Sequence, residues 1–132
     1  MGTFKKFEDI ECWKKARELT RRIYEVSGNG NFAKDFGLKD QIRRAAVSIM
    51  SNIAEGHDRS GRGEFVQFLA NAKGSAAEVR CQLYVAFDQD YIKEKEFESL
   101  TDLAIEISRM LAGLMNYLSG TSHRGTKYKT RT

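Results

Sequence analysis

Proline is absent from all 132 residues. Loops must then be shaped by glycine, asparagine and aspartate, and no ring inside a helix forces a kink. Cysteine is scarce too: Cys12 and Cys81 stand alone in separate apolar-periodic segments. His57 and His123 are isolated as well. Such spacing gives neither a disulfide framework nor the clustered ligands that zinc needs. The expectation is two reduced, packed thiols, no metal and no cofactor. No stretch approaches the roughly 20 apolar residues of a membrane span. The charged start, with Lys5, Lys6, Glu8, Asp9 and Glu11, lacks the apolar stretch of a signal peptide. A cytoplasmic protein without membrane contact is expected.

What is present is globular material. Hydrophobic residues make up 41% and charged residues 30%, a balance that folds rather than stays disordered. The length suits one domain.

The net charge of +4 is a property of the tail. After Leu118 the chain carries Arg124, Lys127, Lys129 and Arg131 and no acid; without these four it holds 18 bases and 18 acids. The neutral body is still polarised. Residues 11–45 carry nine Lys or Arg against five acids, and residues 94–118 carry two against five.

Four segments repeat apolar residues at steps of three and four, the helical signature. The spacing predicts helices over about residues 9–27, 37–55, 62–87 and 94–118. Asp9 and Ser60 are the expected N-caps of the first and third. Residues 28–31 and Gly56 are the expected stops of the first two helices, and a tight turn is expected over residues 88–90. Short loops make neighbours antiparallel, so the fold class is an all-α, up-down-up-down four-helix bundle over residues 1–118. Residues 119–132 form a basic, disordered tail in this reading.

Two helices carry more apolar surface than a single bundle requires. Val47, Met50 and Ala54 lie beside the main stripe of the second helix, and Leu103, Met110 and Tyr117 beside that of the fourth. Widened stripes imply burial on two sides, hence a homo-oligomer; scattered exposed apolar residues are the plainer account.

Gln41, Ser48, Asn52 and Glu55 form a polar line on the second helix, and the third carries a matching line of Gln67, Asn71, Ser75, Glu78 and Gln82. A structural network of Gln41, Ser48, Asn52, Glu55, Ser75 and Glu78 would fix the bundle's register. A polar groove is the functional alternative. Glu55 and Glu78 resemble paired carboxylates only in type, since no nucleophile or metal partner accompanies them. No catalytic residue is expected.

Lys14, Lys15, Arg17, Arg21 and Arg22 suggest a nucleic-acid patch until the acids are placed. Glu11–Lys15 and Glu18–Arg22 fall at the favourable i,i+4 spacing, so much of this face is self-paired. Arg43 and Arg44 lack an acid at i+4, with Asp40 only partly in reach, and Arg59 and Arg62 in the loop are expected to be free. In the tail, Lys127 and Lys129 flank Tyr128, which suits phosphate contact plus base stacking or a merely solubilising end.

The segments GLKDQIRRAAVSIMSNIAEG (37–56) and EFVQFLANAKGSAAEVRCQL (64–83) resemble the signature of the four-helix-bundle proteins encoded in 23S rRNA intervening sequences. FEDIECWKKARELT (7–20) resembles that family's first helix, with Trp13 in its usual place. The likeness covers about residues 4–118. Met50 stands where the family usually has proline, and Asp90 near a usual glycine before the last helix; the tail lies outside the pattern. The resemblance implies a homopentamer. It also implies a likeness to the accessory variability protein of diversity-generating retroelements, a similar bundle that binds a reverse transcriptase and nucleic acid. On that analogy Arg17, Arg21, Arg22, Arg43 and Arg44 are the candidate contacts. The expected function is a non-catalytic nucleic-acid or ribonucleoprotein accessory acting as a ring through charge. The alternative is a protein-only scaffold, with a reverse transcriptase as one partner.

Overall fold

A computed structural model describes residues 4–59 and 61–122. Four helices account for most of it: α1 (Glu11–Ser27), α2 (Phe36–Asp58), α3 (Arg62–Asp88) and α4 (Glu94–Ser122). Single 3-10 turns at Phe7–Asp9 and Phe32–Lys34 precede α1 and α2. No strand occurs among the described residues.

Cross-helix contacts fix the register. Thr20 meets the Ala46 carbonyl while Arg43 meets that of Tyr24, so α1 and α2 run antiparallel. Ser48 meets Ser75 while Gln41 meets Gln82, which sets α2 against α3 in the same way. Arg22 reaches Ser99 while Lys15 reaches Glu106, and α1 closes on α4. Each helix thus packs on its neighbours and the four make an antiparallel bundle.

The three-four repeats supply the core. Ala16, Leu19 and Ile23 meet Ile42, Ile49 and Ile53, Leu69, Val79 and Leu83, and Leu100, Ile107 and Leu111, all with no exposed surface. Each large side chain removed from water contributes about 1.5–3 kcal/mol before entropy is charged against it. The core also takes residues from the connections. Ile10 and Phe32 are fully enclosed. Phe32 stacks on Tyr91 at 5.3 Å and plugs the end where α1 hands over to α2.

Several boundaries differ from expectation. Asp9 does not cap α1; it lies in the first 3-10 turn, and burial of Ile10 moves the helix start to Glu11. Asp35 caps α2 instead, its Oδ1 accepting from the Leu38 amide at 3.1 Å. Its Oδ2 accepts from the Tyr91 hydroxyl at 2.9 Å, so one carboxylate ties the start of α2 to the α3–α4 turn. That bond to Asp35 is the main reason the Tyr91 pKa is raised.

Gly56 does not stop α2, which runs two residues further. Its role is close approach: a Cβ there would lie 2.7 Å from Phe68 Cβ and 2.9 Å from Phe65 Cδ1. Ser60 falls outside the described residues, and Gly61 stands at the N-cap of α3 without a side-chain bond. Met50 leaves α2 unbroken. The turn before α4 holds Asp90 at φ 61°, the left-handed region that favours glycine. Finally, α4 continues past Leu118 to Ser122.

Candidate nucleic-acid interface

Helix α1 presents three sides. Ala16, Leu19 and Ile23 face the core. Lys15 and Arg22 face α4, where Arg22 donates to Ser99 Oγ at 2.8 Å and lies 3.5 Å from Glu96, while Lys15 lies 3.9 Å from Glu106. The expected pairs Glu11–Lys15 and Glu18–Arg22 do not form, because these cations lean toward the acids of α4. Lys14 takes Glu11 at 3.1 Å and Arg21 takes Glu25 at 3.3 Å. The third side faces α2. There Trp13, Arg17 and Thr20 follow one another, and Thr20 Oγ1 donates to the Ala46 carbonyl at 3.2 Å.

The groove on that side has a volume of about 490 Å³ and is lined by Lys14, Arg17, Glu18, Thr20, Arg21 and Met50. Three cations and one acid line it, and two of the cations are held by Glu11 and Glu25 beside the groove. Arg17 has no ion pair among the described residues; its guanidinium lies 5.9 Å from the Trp13 ring centroid. All three cations belong to the basic set of the first helix, although the family analogy names only Arg17 and Arg21 of them. Helical spacing shows the link: Lys14, Arg17 and Arg21 are three and four apart.

The other candidate arginines are more committed. Arg43 donates through Nε to Ser27 Oγ at 2.8 Å and through Nη2 to the Tyr24 carbonyl at 3.2 Å, over the Tyr24 ring. Arg44 takes Asp40 at 2.8 Å. Arg59 is not free: it lies 3.0 Å from Glu55 and 4.0 Å from Glu64, over the Phe68 ring. Its partner Glu55 stands four residues earlier on α2, within reach because the helix continues past Gly56. Arg62 is exposed and has no ion pair among the described residues. Lys127 and Lys129 lie outside the described residues.

The polar network forms in part. Ser75 Oγ donates to Ser48 Oγ at 2.9 Å, and Asn52 Nδ2 donates to the same Ser48 oxygen at 3.0 Å. Gln82 reaches Gln41 at 3.5 Å. Glu55 turns to Arg59 rather than to the network, and Glu78 lines an open groove with Gln41 and Gln82. That pairing leaves Glu55 and Glu78 without a shared site.

The apolar arcs divide as well. Leu103 is buried and Met110 half-buried, whereas Tyr117 and Val47 are exposed. The thiols differ: Cys12 is enclosed, and Cys81, expected to be packed, is exposed on α3. No helix among the described residues is long and apolar enough to cross a membrane.

Four antiparallel helices, a small polar cluster between α2 and α3, and a basic groove between α1 and α2 define an all-α bundle with a charged outer surface. The family model described as 23S rRNA-intervening sequence protein matches residues 8–113, and the chain belongs to that family. Among solved structures it is similar to a protein of unknown function from the S23 ribosomal protein family of Bacteroides thetaiotaomicron. The two share 28% identity over 79% of this chain and 97% of the other, with a TM-score of 0.73. None of the curated proteins compared with the chain matches it.

Proposed function

We propose that this protein is a non-catalytic accessory that assembles as a homo-oligomeric ring and binds nucleic acid mainly through charge. The observation that carries the reading is the α1–α2 groove, which Lys14, Arg17 and Arg21 line together with Glu18 and where Arg17 has no ion pair among the described residues. The carboxylate partners of Lys14 and Arg21 are more than half exposed. Such pairs are worth about 0–1 kcal/mol, so a phosphate can displace them at little cost. Assembly is assigned to the outer face of α2 and α3. There Leu38, Cys81 and Val85 open onto a groove of about 430 Å³ with Gln41, Glu78 and Gln82. A pentamer is the number that the family resemblance suggests.

The test is light scattering on a size-exclusion column, with and without structured RNA, at low and moderate salt. A single oligomer that shifts with RNA at low salt and loses the shift as salt rises supports the reading, since counterion release makes such binding steeply salt-dependent. An oligomer that RNA never shifts favours the second reading, a protein-only scaffold whose α2–α3 face takes a partner such as a reverse transcriptase. A monomer overturns the ring.

A further inference from the structure

We propose that the α1–α2 groove takes single-stranded nucleic acid, with Arg17, Arg21 and Lys14 on phosphates and the Trp13 and Tyr24 rings as stacking plates for bases. This rests on the nucleic-acid reading above and narrows it to one groove and one strand state.

The geometry combines features that a purely electrostatic patch lacks. Trp13 is half-buried, with Phe7 against it at 5.2 Å and Arg17 on it at 5.9 Å. Tyr24 is 44% exposed, with the Arg43 guanidinium 4.3 Å from its ring centroid. The two rings stand eleven residues apart on α1. At about 1.5 Å per residue that separates them by roughly 16 Å along one rim. Thr20, placed between them, is bonded to α2, and the rings stand one at each end of the stretch from Lys14 to Arg21 that lines the groove. Met50 supplies an apolar patch in the lining. Cation, aromatic and apolar groups therefore recur along one line, the composition that holds unpaired bases and their backbone together.

Charge and shape select among occupants. A duplex keeps its bases stacked inside and would offer this groove only phosphates, leaving the rings and Met50 without partners. A second copy of the same groove would bring three cations against three. An acidic polypeptide would satisfy the cations but has no flat groups for the rings.

Trp13 is the chain's one tryptophan, which makes its fluorescence a reporter at the rim. The full-length protein is titrated with short oligouridylate, with the same length of duplex RNA, and with polyglutamate. The expected result is saturable quenching of Trp13 by oligouridylate and little by the other two. Tyr24→Ala should weaken the oligouridylate response about tenfold, since one stacked base is worth roughly 1–3 kcal/mol. Arg17→Ala, at a side chain without an ion pair, should weaken it and flatten its salt dependence. Melting followed by circular dichroism checks that each variant folds. Equal quenching by duplex or by polyglutamate overturns the single-strand assignment. RNA that shifts the size-exclusion peak without changing Trp13 emission removes this groove and leaves the accessory reading standing. RNA that does neither removes both.

Discussion

The guanidinium of Arg43 lies 4.3 Å from the Tyr24 ring centroid and at the same time donates to the Tyr24 carbonyl at 3.2 Å. One side chain of α2 thus packs on one face of the ring, which stays 44% exposed, and satisfies a carbonyl of the last turn of α1, where no base of α1 itself stands. Its Nε holds Ser27, whose own hydroxyl donates back to the Ile23 carbonyl at 2.6 Å. A cation at a helix C-terminus also meets the negative end of the macrodipole. Arg43 is therefore a capping residue first, whatever anion reaches it later.

Replacing Arg43 tests this directly. Arg43→Ala should cost about 2 kcal/mol, combining roughly 0.5–1 for the ring contact with the lost capping bonds. Arg43→Lys keeps the charge but loses the forked donors, and should recover less than half of that. Arg44→Ala, whose partner Asp40 is mostly exposed, should stay within about 0.5 kcal/mol of the parent. Urea unfolding reads all three. Equal stabilities for the two alanine variants would show that the cap contributes nothing.

Gly56 gives a second prediction. Alanine is the better helix former by about 1 kcal/mol, so propensity alone favours Gly56→Ala. The new methyl would meet Phe68 Cβ at 2.7 Å, a contact that requires α2 and α3 to separate. Overpacking of that kind costs about 1–3 kcal/mol. A net loss of about 1–2 kcal/mol is expected, read as a lower melting temperature. A rise would mean that the helices part freely at this end.

Much of this was legible in the chain because helical burial has a period. The stripe Leu38, Ile42, Ala45, Ile49 and Ile53 reads as core, and all of it is buried except Leu38, which is half-buried. The connections have no period, so nothing in the chain marks Phe32 and Ile10 as core although both are enclosed. Gly56 looks like a stop because a glycine's neighbours across a helix pair are invisible in one dimension. The basic site was legible only as a set of arginines. Which of them stay available depends on acids far away in sequence, such as Glu96 and Glu106, that only the packing of α4 brings near.

Asp90 is a stabilising position waiting to be used. Its φ of 61° places a side chain in the left-handed region, which costs a non-glycine residue roughly 1 kcal/mol, somewhat less for aspartate. It is exposed, and no hydrogen bond or ion pair of its side chain occurs among the described residues. Asp90→Gly should raise stability by about 0.5 kcal/mol after the extra freedom of glycine in the unfolded chain is counted. Asp90→Val should lower it by more than 1 kcal/mol, roughly, because a β-branched side chain fits that region worst. A destabilising glycine would mean that the Asp90 carboxylate contributes more than its surroundings indicate.

The two thiols make the last prediction. Cys12 is 3% exposed, and burial pushes its pKa from the ordinary 9.0 up to about 11. Below pH 9 both the folded and the unfolded thiol hold their proton, and the group adds no slope. Between pH 9 and 11 the unfolded chain releases a proton that the folded chain keeps, so the unfolded state binds fewer protons and stability falls. One titrating group changes stability by at most about 1.4 kcal/mol per pH unit. Cys12→Ala should therefore flatten the alkaline loss of stability in that window, whatever its effect at neutral pH. Cys81, exposed on α3, should react with a thiol reagent in the native protein, and Cys12 only after denaturant is added. Matching alkaline slopes with and without Cys12 would show that its proton is not held by the fold. Labelling of both thiols at one rate would show that the α1 end of the core opens as readily as the surface.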